Sequence, residues 1–139
     1  MTRYIVLLFL LFGSFGCRAA SDSDSFFLDW KMIDNPTLGR IDIEYRNFES
    51  RAVCIAHGAW PTKAGRVDAM GDSMFLSVGK TRFPIEEFQA GFCFGECKTR
   101  VPSGASIEVS IGYERFKLPE ALRFEKKTLT YPLVGSFCR

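Results

Sequence analysis

The sequence predicts an all-β domain, a two-layer antiparallel β-sandwich, behind a hydrophobic leader. Three observations point there. From Phe26 onward apolar residues recur at every second position, the alternating runs are separated by Pro- and Gly-containing turns, and segments of helical period are nearly absent.

The runs follow in chain order. Phe26, Leu28, Trp30 and Met32 alternate with Asp29 and Lys31, and Asn35-Pro36 then marks a turn. Ile41, Ile43 and Tyr45 alternate with Asp42, Glu44 and Arg46. Shorter strands are expected at 52–56, 74–78 and 81–85, with Gly79-Lys80 placed as a two-residue hairpin whose first central residue is glycine. Past the turn Pro102-Ser-Gly104, Ile107, Val109, Ile111 and Tyr113 alternate with Glu108, Ser110 and Gly112. A last strand is expected over 127–133. Pro119-Glu-Ala-Leu122 suits one helical turn, with Pro at its first position.

About seven strands in segment 26–139 suit a sandwich of immunoglobulin-like type, with a small barrel as the alternative. That segment supports one core and not two domains. The only shift in composition falls at Phe26, so the chain divides into a leader 1–16, a tether 17–25 and a domain 26–139.

The leader carries Arg3, the apolar run Tyr4-Ile-Val-Leu-Leu-Phe-Leu-Leu-Phe12 and then Gly13-Ser-Phe-Gly16. The run is too short for a bilayer, which takes roughly 20 apolar residues, so it reads as an export signal. Gly16-Cys17 resembles the end of the bacterial lipoprotein leader, where a small residue precedes the acylated cysteine. Ser14 and Phe15 depart from that family's usual leucine and small residue. The resemblance implies lipidation of Cys17 and a membrane anchor. Arg18 in place of aspartate implies, by likeness to enteric sorting, the periplasmic face of the outer membrane. A cut after Ala19 would instead leave a soluble exported protein. Ser21-Asp-Ser-Asp-Ser25 has little apolar area to bury and reads as tether.

Five cysteines leave one over in an oxidising compartment. With Cys17 acylated or removed, Cys54, Cys93, Cys97 and Cys138 form an even set with three pairings open. The short bridge Phe94-Gly-Glu96 favours Cys93 with Cys97, which leaves Cys54 for Cys138. A zinc site is disfavoured, because one histidine and a single C-x3-C lack the paired ligand motifs of a structural zinc module.

A catalytic constellation is not legible. His57 is the lone histidine, no serine sits in a G-x-S-x-G elbow, and Asp42 and Glu44 lie on the wet face of their strand. Glu86 and Glu87 are adjacent and diverge. Asp22 and Asp24 lack the glycine and distal glutamate of a calcium loop. We therefore assign no catalytic residue, metal or cofactor. Formal net charge is +2 with basic and acidic residues interleaved, which gives no footprint for nucleic acid.

Two loops remain as candidate protein-binding surfaces. The connection 56–73 carries His57 and Trp60 and is longer than a hairpin needs, although Trp60 would equally serve as a plug for one end of the sandwich. Gly91-Phe-Cys-Phe-Gly-Glu-Cys97 would, when closed by a disulfide, hold Phe92, Phe94 and Glu96 on a rigid loop suited to a partner's cleft. The rival arrangement turns both phenylalanines inward.

That loop chemistry resembles proteinaceous inhibitors of enzymes such as lysozyme. Val53-Cys-Ile55, Trp60-Pro61 and Cys138 together resemble small bacterial exported proteins of sandwich type. The second resemblance implies fold and compartment and no activity; the layout of export signal, tether and small disulfide-braced domain without a catalytic constellation leads us to expect an envelope protein that binds another protein, as an immunity or inhibitor protein against a hydrolase or toxin. The alternative is an assembly accessory of an envelope complex that binds through a sheet edge.

Overall fold

The computed structural model describes residues 25–68, 73–95 and 97–139. The expected leader, Cys17 and nearly all of the tether lie outside them. The described chain is all-β, a sandwich of antiparallel sheets: β1 (Ser25–Phe27), β2 (Trp30–Asn35), β3 (Arg40–Arg46), β4 (Val53–Ala56), β5 (Phe75–Val78), β6 (Thr81–Pro84), β7 (Lys98–Val101), β8 (Ser106–Gly112), β9 (Lys127–Thr130) and β10 (Val134–Phe137).

These ten strands form three sheets, ordered β1-β10-β4-β7, β2-β3-β8 and β6-β5-β9. The inner face of β2-β3-β8 spans two apolar clusters. Ile41, Ile43 and Ile111 pack with Leu76 of β5 and Leu129 of β9, while Tyr45 at the other end of β3 packs with Val53 and Ile55 of β4 and Val101 of β7. The central sheet is therefore one layer, facing β6-β5-β9 at one end and β1-β10-β4-β7 at the other. Trp30, Trp60 and Tyr131 touch both clusters and join them.

The expected Phe26–Met32 strand is two strands. Leu28 and Asp29 carry the chain from one sheet to another, and the C-terminal run makes the same change through Tyr131-Pro132-Leu133. The two crossings brace each other: Leu28 N–H donates to Leu133 C=O at 2.9 Å, and Trp30 Nε1–H donates to Tyr131 C=O at 3.0 Å. Strands β7 and β10 were not expected from the pattern. Lys-Thr-Arg-Val is too short and polar to stand out, and β10 contains Gly135, whose absent side chain is what the packing requires. A Cβ there would lie 2.8 Å from both Leu28 Cδ2 and Val53 Cγ1.

The Gly79-Lys80 hairpin forms as expected, with Val78 opposite Thr81 and Gly79 at φ +58°. Tyr113 does not end β8 but begins a 3-10 turn, Tyr113–Phe116, that seats Phe116 in the core. Glu120–Leu122 is one 3-10 turn, with Pro119 just before it. Both disulfides pair as favoured, Cys54 with Cys138 and Cys93 with Cys97, at Cα separations of 5.1 and 5.5 Å that suit unforced bridges.

Candidate functional site

The C-x3-C loop stands on the end of the four-stranded sheet. Antiparallel register places Ala56, the last residue of β4, opposite Lys98, the first of β7. His57 therefore leaves the sheet beside Cys97. The other stem arrives at the same place, because a Cβ on Gly58 would come within 3.0 Å of Ala90 Cβ. Gly58 sits at φ +77°, a conformation that a side chain would strain. Both stems of the loop thus rest on the His57-Gly58 turn.

The disulfide closes the loop above that turn and leaves its aromatic side chains outside. Phe92 is 95% exposed and Phe94 96%, the most exposed large apolar residues of the described chain. The inward-packed arrangement is not the one adopted. Free phenylalanines at this exposure gain nothing from the core, while a bridge between Cys93 and Cys97 limits the backbone freedom that a partner would otherwise have to remove. Glu96 lies outside the described residues.

His57 is exposed and Trp60 half-buried. Trp60 packs against both apolar clusters, so it anchors the start of the long connection more than it extends the loop's surface. The connection itself is held down. Val67 is 3% exposed in the core, Asp68 N–H donates to Gly58 C=O at 2.8 Å, and the Tyr131 hydroxyl donates to Ala59 C=O.

Charge is divided between the sheets. The strands β1, β10, β4 and β7 contain no acidic residue, and β7, at the open edge, exposes Lys98 and Arg100. Asp34, Asp42, Glu44 and Glu108 all lie on the central sheet. Sequence reasoning missed this edge because β7 itself was missed; Thr99 and Val101 alternating with Lys98 and Arg100 were the only signal.

A second polar cluster lies where β2 meets β9. Lys127 has a fully buried side chain whose Nζ donates to Asp34 Oδ2 at 3.2 Å and to the carbonyls of Arg123 and Glu125, while the Tyr113 hydroxyl donates to Asp34 Oδ1. All three ammonium donors are used, so the cluster is a structural tie with no open valence for chemistry. Among the described residues no three His, Cys, Asp or Glu side chains converge as metal ligands. Comparison of the chain with protein-family models, with curated proteins and with solved structures finds no match.

Proposed function

We propose that this chain is a lipid-anchored protein-binding module of the cell envelope, exported and tethered through Cys17, that captures another protein with the Phe92 and Phe94 loop and performs no reaction of its own. One observation carries the reading: two almost fully exposed phenylalanines on a disulfide-closed loop whose two stems share one turn. Rigid aromatic anchors of this kind contribute most when they enter a pocket that excludes water. An immunity or inhibitor role against an envelope-acting hydrolase or toxin fits that chemistry, since a hydrolase offers a concave site of matching form.

The second reading, an assembly accessory, is favoured by the open edge of β7. An extended acidic segment would add there as a further strand, with Lys98 and Arg100 beside it. Capture experiments with the full chain as bait separate the two. Phe92→Ala with Phe94→Ala abolishes capture of the bound envelope protein under the first reading, and Lys98→Glu with Arg100→Glu leaves it intact. The reverse result establishes edge binding. Anchoring is tested apart from both: Cys17→Ser must eliminate incorporation of labelled fatty acid, and membrane association that survives this change refutes the anchor.

A further inference from the structure

A concavity between the Thr62–Arg66 turn and the segment after β6 is lined by neither Phe92 nor Phe94. It has a volume of about 210 Å³ and is lined by Gly65, Arg66, Ile85, Glu86, Glu87, Phe88 and Arg115. We infer that it binds a small zwitterion, a molecule of amino-acid size carrying one ammonium and one carboxylate.

Both walls are built before any ligand arrives. On one side Thr62 N–H donates to Arg66 C=O and Gly65 N–H to Thr62 C=O, each at 2.8 Å, closing a tight turn. That turn is pressed onto β8: a Cβ on Gly65 would meet Ser110 O at 3.0 Å and Ile111 Cα at 3.2 Å. On the other side Ile85 N–H donates to Met74 C=O at 3.0 Å and Glu86 N–H to Arg115 C=O at 2.7 Å. A site held this way loses little freedom on binding.

The charges on those walls specify the ligand. Arg115 Nη1 lies 3.2 Å from Glu86 Oε2, so these two neutralise each other. Arg66 sits with its guanidinium 5.3 Å from the centre of the Phe88 ring, and neither it nor Glu87 has an ion-pair partner among the described residues. One cation and one anion remain. A simple anion would gain Arg66 but meet the repulsion of Glu87, and a simple cation would meet the reverse; a zwitterion engages both. The volume is below the size of drug-binding pockets and suits an amino acid whose short side chain rests on Phe88 and Ile85.

The test is titration of the full-length, oxidised protein with L-alanine, acetate and methylammonium, followed by amide NMR shifts at Gly65, Arg66, Glu87 and Phe88. L-alanine shifts these amides and binds more tightly than either singly charged probe, by up to about fivefold, the most that one exposed charge contact contributes. Arg66→Gln and Glu87→Gln each weaken L-alanine binding by about the same factor while the melting temperature stays unchanged. No shifts up to the solubility of L-alanine, equal binding of acetate, or full binding by both variants overturns the site. Arg115 is left unaltered because its ion pair with Glu86 is part of the wall. Capture of a protein by the Phe92 and Phe94 loop is unaffected by any of these outcomes.

Discussion

Lys127 is tied to Asp34, ammonium to carboxylate at 3.2 Å, with the lysine side chain wholly inside and the aspartate 28% exposed. The ammonium also sits 4.8 Å from the centre of the Tyr113 ring. Removing the carboxylate leaves a buried cation held only by neutral groups, the carbonyls of Arg123 and Glu125 and the Tyr113 ring. Asp34→Asn should therefore lose about 2–4 kcal/mol in urea unfolding, and Lys127→Met, which removes the buried charge itself, less. A change within about 0.5 kcal/mol for Asp34→Asn would show that the tie carries no stability.

The two disulfides close loops of very different length, 84 and 4 residues in sequence separation. On the chain-entropy relation the long loop contributes about 4–5 kcal/mol and the short one about 2. Replacing Cys54 and Cys138 with alanine should lower the urea midpoint far more than replacing Cys93 and Cys97. Partner capture should respond in the opposite order, since the short bridge shapes the aromatic loop. Equal loss of stability in both pairs would contradict the entropic account.

Phe92→Ala and Phe94→Ala remove side chains that touch almost nothing of the folded domain. Each should shift unfolding free energy by no more than about 0.5 kcal/mol. Any larger loss, measured by thermal melts of the oxidised protein, means that the loop packs inward in solution.

Three tyrosines hold their phenol protons more tightly than the ordinary value near 10. Burial raises Tyr45, aided by the charge of Glu49. Burial also raises Tyr113, aided by its hydrogen bond to Asp34 and by that residue's charge and opposed by Arg123, and burial alone raises Tyr131. A pKa higher in the folded state stabilises the fold fully below the unfolded value and progressively less above it. Stability should hold through neutral pH and fall as pH rises past 10, with the phenolate absorbance of Tyr113 and Tyr131 appearing only as the domain unfolds. Their ionisation in a still-folded domain at pH 10 would refute this.

Gly135→Ala is the smallest substitution with a large expected effect. The added methyl would press on Leu28 and Val53 at the joint between β1, β10 and β4, and a loss of about 1–3 kcal/mol is expected from overpacking. Wild-type stability for this variant would mean that the joint relaxes freely.

Much of the fold was legible locally. Alternation along Ile41–Tyr45 and Ile107–Ile111 marks two strands of the β2-β3-β8 sheet, because a one-face-buried strand imposes a period of two, and Gly79 marks its hairpin through its positive φ. The edge strand β7 and the short β10 were not legible, since each is only four residues long and gains its place from its neighbours. The site was legible in part. Phe92 and Phe94 stood out as aromatics inside a C-x3-C span, but the pattern did not say which way they point.

The sequence by itself determined the all-β class, a hydrophobic N-terminal run followed by a short polar segment, and a cysteine set suited to two bridges, because periodicity, composition and parity are properties of neighbouring residues. Only the tertiary structure decided that Ala56 meets Lys98, that both stems of the aromatic loop rest on His57 and Gly58, and that Arg66 and Glu87 share one small concavity. Those relationships depend on strand register and on how loops settle over the sheets, and register is set by the burial of whole faces at once, which no local stretch of sequence records.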